Sequence, residues 1–253
     1  MNREELLFYT EYEEFYEMAR KSASFQMFCK DAFGEDFSQD GFSDVNQINM
    51  ILQYIPKRDN VRILDIGCGN GKMLGYLQKM TGVHIYGFDY SSQAIKDAKA
   101  MFEFNSEFKE GIIGEIDYPA EKFDVIVSMD SIYFSKDMAV FVSQVKRWLK
   151  KDGVFFIGYQ EGEVMPKTQN RYTTEIAIAL EKNAMKFEVK DITKQTYEML
   201  NKKREKALLY KNKFVEEGYE KWNEMLLGQT ECAKEPYEIF RKKMARYIYV
   251  ARK

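Results

Sequence analysis

The chain has 253 residues, with 38 Lys plus Arg against 40 Asp plus Glu, a formal net charge of −2, and 45% hydrophobic residues. That length buries a full core and fits one domain with embellishments, and the near-neutral balance carries none of the basic excess expected of a nucleic-acid partner. Cys29, Cys68 and Cys232 lack the spacing of a disulfide framework or of metal ligands, which predicts a reducing, cytoplasmic setting and no metal site.

The start, Met1-Asn2-Arg3-Glu4-Glu5, is charged and no long apolar run follows, so neither a signal peptide nor a membrane span is expected. Through residues 1–30, Leu7, Phe8, Tyr12, Phe15, Tyr16 and Ala19 recur at helical spacing and predict one or two amphipathic helices. Such a segment packs on the core, folds over a pocket as a lid that keeps water out, or does both. A polar loop, Phe33-Gly34-Glu35-Asp36-Phe37-Ser38-Gln39-Asp40-Gly41-Phe42, then leads into a helix from Asp44 to Tyr54, with Asp44 as its N-cap and Pro56 as its stop.

The next stretch, Val61-Arg62-Ile63-Leu64-Asp65-Ile66, is an apolar, β-branched run that suits a buried parallel strand. Gly67, Gly69 and Gly71 follow at alternate positions, as in a tight turn into a helix where a ligand approaches bare backbone. A dinucleotide fingerprint needs glycine where Lys72 stands; a P-loop needs glycine at Ile66 and a hydroxyl at Met73. What remains is Asp65-x-Gly67-x-Gly69-x-Gly71. A carboxylate there repels a diphosphate and attracts a sulfonium ligand that carries an ammonium group. The competing reading is a structural turn with a solvent-exposed Asp.

With this motif the chain resembles the class I S-adenosylmethionine-dependent methyltransferases, whose first motif is a strand ending in D-x-G-x-G-x-G. The resemblance implies S-adenosylmethionine as cofactor, leaving as S-adenosylhomocysteine, with Asp65, Gly67, Cys68 and Gly69 against it. The earlier loop is similar to the F-G-x-x-[FY]-x-x-x-G segment of phosphoethanolamine and related small-molecule methyltransferases. That segment lies over the cofactor there, so Ser38 and Gln39 are expected to touch it.

Lys72 to Thr81 reads as a helix ended by Gly82, and Val83 to Phe88 as the second strand, followed by Asp89-Tyr90-Ser91. An acid some twenty residues past the glycines suits a ribose diol, because one carboxylate accepts from two vicinal hydroxyls. Tyr90 is placed to lie against an adenine face, and Ser91 to cap a helix from Gln93 to Phe102. His84, the single histidine, starts its strand at the end away from the ligand and reads as structural.

A third strand is expected at Phe108–Ile113. In the resembled pattern an acidic residue follows it and receives the adenine amino group; Gly114 falls in that slot with Glu115 beside it. Either Glu115 substitutes or backbone groups read the adenine. Strand four, Phe123 to Ser128, with the loop Met129-Asp130-Ser131-Ile132-Tyr133-Phe134, is also family-like. That loop serves the methionyl end and the acceptor, which assigns Met129 to the cofactor.

Downstream, a helix at Asp137–Lys151, strand five at Val154–Tyr159, a helix at Tyr172–Met185, strand six at Phe187–Ile192 and a last strand at Tyr247–Ala251 are expected. Between about 193 and 244, Tyr197, Leu200, Leu208, Phe214 and Val215 recur at helical spacing. This insertion is similar to the cap of sterol, cyclopropane-fatty-acid and some small-amine methyltransferases. Lys202-Lys203-Arg204 reads as a solvated helix face.

The alternation of strand and helix predicts an α/β fold with a doubly wound parallel sheet. The resemblance refines this to a Rossmann-like, seven-stranded sheet with an antiparallel last strand. Its parts would be a helical lid at 1–60, a cofactor-binding core at 61–160 and a C-terminal part at 161–253 that carries the cap. Ligands in such sheets bind beyond the strand ends, so Asp65, Asp89, Asp130 and Tyr159 are expected to face one crevice. No histidine reaches it, which leaves Asp130, Tyr133, Tyr159, Tyr12 and Tyr16 as candidates for a general base. The histidine of the phosphoethanolamine enzymes' strand-four loop falls on Phe134, so their acceptor does not carry over. The expected activity is methyl transfer to a small molecule, an amine by preference, by a monomer or homodimer without nucleic acid or membrane. Oxygen and sulfur acceptors, a macromolecular acceptor and a non-catalytic S-adenosylmethionine sensor stay open.

Overall fold

The apolar runs of the sequence become seven strands in a computed structural model, which describes residues 8–38, 40–162 and 165–253. Leu7 and Gln39 lie outside the described residues. The strands are β1 (Arg62–Ile66), β2 (His84–Asp89), β3 (Ser106–Glu110), β4 (Phe123–Met129), β5 (Leu149–Glu161), β6 (Lys186–Asp191) and β7 (Ala245–Arg252). They form one sheet in the order β3-β2-β1-β4-β5-β7-β6, parallel from β3 to β5, with β7 antiparallel to both its neighbours. This is the Rossmann-like sheet the sequence led us to expect.

Side chains alternate across the sheet, and both faces are covered, which is why the central strands are apolar throughout. On one face Ile63, Ile85, Val127 and Phe156 pack with α3 (Val45–Leu52), α4 (Lys72–Thr81) and α5 (Ser92–Met101). On the other, Leu64, Phe88, Ile126 and Phe155 pack with α6 (Met138–Trp148) and α7 (Glu175–Lys182). A third apolar cluster joins the N-terminal helices α1 (Tyr9–Lys21) and α2 (Ala23–Phe33) to α8 (Thr193–Glu216), α9 (Glu220–Gly228) and α10 (Tyr237–Lys243). Phe15, Phe25, Phe28 and Phe214 are fully buried there, each worth about 1.5–3 kcal/mol of burial.

Local signals set the helix ends. Ser22 breaks the first amphipathic run in two and caps α2 by accepting from the Phe25 N–H at 3.0 Å. Asp44, Ser91 and Asp137 cap α3, α5 and α6 in the same way, and Gly82 closes α4. The clasp between α2 and the C-terminal helices is Glu217, which accepts from Ser22 Oγ, from Ser24 N at 3.0 Å and from Ser24 Oγ at 2.8 Å.

Four expectations need correction. The third strand is Ser106–Glu110, not Phe108–Ile113, because it pairs with β2 and stops where β2 stops; beyond it the chain coils into a turn with Glu115 N donating to Ile112 O. The helix after the strand-four loop ends at Trp148, since Leu149 already begins the long strand β5. The helix expected at Tyr172–Met185 is shorter, Glu175–Lys182, with Thr174 as its cap. Lys203 is not solvated: it is fully buried, its Nζ donating to Gln229 Oε1 at 2.6 Å and lying over the rings of Phe33 and Phe42.

Candidate active site

A cavity of about 220 Å³ opens at the carboxyl ends of β1, β2 and β4, roofed by α1 and by the loop ahead of α3. The turn after β1 supplies its floor. Gly69 has φ +52, and a Cβ on it would stand 2.3 Å from the Tyr16 hydroxyl, so only glycine allows this backbone to meet the helix above.

Asp65 is the penultimate residue of β1 and is 2% exposed, with Oδ1 unpartnered. Burial, and then the nearby Asp89 carboxylate, hold its carboxyl well above the usual range. Asp89 ends β2 on the same face of the sheet. Its Oδ2 accepts from Gly69 N and its Oδ1 from Ser91 N, both at 2.9 Å, while burial pushes its carboxyl up to about 6. Two buried carboxylates thus share one wall, and one has a lone pair with nothing to receive. An unpaired buried polar atom is costly, and a cationic or hydroxyl-bearing ligand relieves it.

Tyr12 and Tyr16 of α1 line the roof, their rings 6.3 Å apart and nearly parallel, and Tyr12 meets Tyr90 edge-on at 5.9 Å. Burial raises both phenols well above their ordinary value, so they are donors at neutral pH. Ser38 lines the same cavity, its Oγ accepting from Lys72 Nζ at 2.6 Å and donating to Asp36 Oδ1 at 2.7 Å.

The loop after β4 brings in Met129 and Asp130. Asp130 has φ +59, and its carboxylate is gripped by Arg246 on β7: the guanidinium donates to both oxygens, at 2.8 Å to Oδ2. Arg246 is fully buried and also donates to Gln47 Oε1 at 3.2 Å and Ser43 Oγ at 3.0 Å. Burial opposes the guanidinium charge and Asp130 outweighs it. A Cβ on Gly158 would stand 3.2 Å from this guanidinium and 2.8 Å from Met129 Cε, so a bare strand position makes room for the pair.

The cavity therefore brings together Tyr16, Ser38, Asp65, Gly67, Cys68, Gly69, Asp89, Tyr90, Met129 and Asp130. Four expected residues do not line it. Tyr159 points to the opposite face of the sheet, packed edge-on against Tyr133 and Tyr249, because odd positions of β5 face α6 and α7. Tyr133 stands behind Asp130 and donates to its Oδ1 at 2.8 Å, and burial raises its phenol too. Gly114 and Glu115 lie past the wall; since β3 stops early, Gly111, Ile112 and Ile113 occupy that place. Sequence reasoning missed Asp40, which lines the cavity, and Arg246, which stands behind Asp130. The signal for Arg246 was present: one arginine at the head of an apolar, aromatic strand, where a charge is buried only if paired.

A family model described as a methyltransferase domain matches residues 57–204. Sterol 24-C-methyltransferase of Gibberella zeae is 27% identical over 133 residues, 51% of this chain and 34% of that protein. The chain spans under half the length of the curated relatives it matches. Among solved structures, Haemonchus contortus phosphoethanolamine N-methyltransferase 2, bound to phosphomonomethylethanolamine and S-adenosylhomocysteine, has a TM-score of 0.74 at 19% identity, covering 95% of this chain and 60% of that one. A cyclopropane synthase of Mycobacterium tuberculosis has a TM-score of 0.71 at 18% identity, covering 96% of this chain and 98% of that one. These two likenesses are of fold.

Proposed function

The chain belongs to the methyltransferase-domain family, and we propose that it transfers the methyl group of S-adenosylmethionine to the nitrogen of a small amine. The observation that carries this reading is the pair of buried carboxylates, Asp65 and Asp89, on one cavity wall with Asp65 Oδ1 unpartnered. S-adenosylmethionine fits that donor set, offering an ammonium group to one acid and a ribose diol to the other, and it supplies an electrophilic methyl group on a sulfonium.

The chain's own residues then do the following. Asp89, already fixed by Gly69 and Ser91, has lone pairs left for the two ribose hydroxyls. Asp65 faces the ammonium end. Tyr90 covers the adenine, with Gly111 and Ile112 beside it. Tyr12 and Tyr16 close over the reacting centre as a lid and keep water out, which strengthens every electrostatic contact inside. Asp130, held by Arg246, stands at the methyl side with Met129. An amine is favoured over a hydroxyl or thiol because the aromatic walls Tyr12, Phe37 and Phe134 accommodate the ammonium formed.

Isothermal titration with S-adenosylmethionine and S-adenosylhomocysteine tests the donor, and absence of heat with both rejects it. A screen of amines, phenols and thiols for S-adenosylhomocysteine release tests the acceptor; turnover confined to phenols or thiols rejects the amine.

A further inference from the structure

Four carboxylates line the cavity, and the reading above gives Asp65 and Asp89, near the ends of β1 and β2, to the nucleoside donor. Asp40 and Asp130 come from elsewhere, the loop ahead of α3 and the loop after β4. Their surroundings differ. Asp130 is compensated: Arg246 takes both its oxygens and Tyr133 gives a further hydrogen bond. Asp40 is held by a neutral donor, the Nε2 of Gln229 just past α9, and the other end of that amide accepts from the buried Lys203 Nζ at 2.6 Å. The amide thus stands between carboxylate and cation. It fixes the direction of Asp40 without neutralising it, and among the described residues no lysine or arginine forms an ion pair with Asp40.

The same cavity is lined by the rings of Tyr12, Phe37 and Phe134, whose faces attract a cation. An anion entering here meets Asp40 directly. The nearest buried guanidinium, Arg246, already donates to both oxygens of Asp130 and to Gln47 and Ser43, so an anion competes with a carboxylate for it. Aromatic faces with one carboxylate that has no direct cationic partner select positive charge, and the engaged arginine offers negative charge little.

We propose that the acceptor is an ammonium-bearing amine with no phosphate or carboxylate of its own, and that Asp40 is the side chain that selects it. This rests on the cavity being the S-adenosylmethionine site. The arriving ammonium gives one proton to Asp40; the freed nitrogen lone pair forms the N–CH3 bond, and the pair of the broken S–CH3 bond stays on sulfur. A methylated ammonium and a neutral thioether result, with the proton passed from Asp40 to water afterwards.

The test uses wild type, Asp40→Asn and Asp40→Glu, each saturated with S-adenosylhomocysteine and titrated calorimetrically with ethanolamine against phosphoethanolamine and with glycinamide against glycine. Wild type should bind the member without the anionic group roughly tenfold or more tightly in both pairs. Asp40→Asn should lose that preference and Asp40→Glu retain it. Binding of neither ethanolamine nor glycinamide, equal or tighter binding of the anionic member, or full discrimination by Asp40→Asn overturns the proposal. Failure of wild type to bind S-adenosylhomocysteine itself overturns the donor-site reading instead, so the two failures are separate.

Discussion

The proton affinity of Asp89 gives the sharpest test of the site. In the ligand-free protein burial raises its carboxyl from 3.8 to about 6, which corresponds to about 3 kcal/mol between the protonated and ionised forms. The sign follows from the direction: the folded state binds this proton more tightly than the unfolded chain does. Its stabilising contribution is therefore complete below pH 4 and disappears as pH rises through about 6. At neutral pH an ionised acid in this buried wall is costly, and in the proposed site two ribose hydroxyls would offset that cost. Only the ionised form accepts from both hydroxyls. With a midpoint of about 6, the ionised fraction is roughly one tenth at pH 5 and nine tenths at pH 7, so S-adenosylhomocysteine should bind about tenfold more tightly at pH 7. Near pH 6, titrations in buffers of different ionisation enthalpy should show release of about half a proton per ligand bound. Asp89→Asn should remove this pH dependence and weaken binding at pH 7. The neighbouring Asp65 also titrates, and subtracting the variant's profile isolates the share due to Asp89. A wild-type affinity that is flat from pH 5 to 7, or an unchanged slope in Asp89→Asn, refutes the reasoning.

Other perturbations probe what holds the cavity together. Gly69→Ala puts a Cβ 2.3 Å from the Tyr16 hydroxyl at φ +52, and strain of about 1–3 kcal/mol should push α1 off the turn; calorimetric affinity for S-adenosylhomocysteine equal to wild type contradicts this. Arg246→Met leaves the partly buried Asp130 without its cation and should cost about 3 kcal/mol in urea unfolding, while Arg246→Met with Asp130→Asn should regain more than half; an equally unstable double variant argues against the charge pair. Glu217→Ala removes the acceptor shared by Ser22 and Ser24 and should cost about 1–3 kcal/mol, with faster amide exchange at Ser24; unchanged exchange there shows that the clasp is not holding α2.

Much of the scaffold could be read from the chain because it is written in local chemistry. The apolar β-branched run before three glycines, the capping residues Asp44 and Ser91, and the acid closing the second strand all act within a few residues of themselves. What escaped was fixed by pairing across the fold. The end of β3 depends on the length of β2, and no residue near Gly114 records that. Tyr159 was assigned to the crevice from its place at a strand end, yet the pleat of a strand that runs on to Glu161 turns it to the other face. Lys203 looks like one more solvated lysine until Gln229, 26 residues later, is brought beside it. Arg246 finds Asp130 at a separation of 116 residues, a distance over which periodicity carries no information.

The reversed direction of β7 has a topological consequence. A parallel last strand would begin at the far edge of the sheet, but β7 begins where β6 ends, so the helices from Thr193 to Lys243 both leave and rejoin at the ligand edge. That excursion can lengthen, shorten or change its lining while the strands beneath keep their register. The cavity floor on the strands and the lining the excursion supplies are thereby separately mutable, and Gln229 reaching across to Asp40 is one tether through which the excursion touches the cavity.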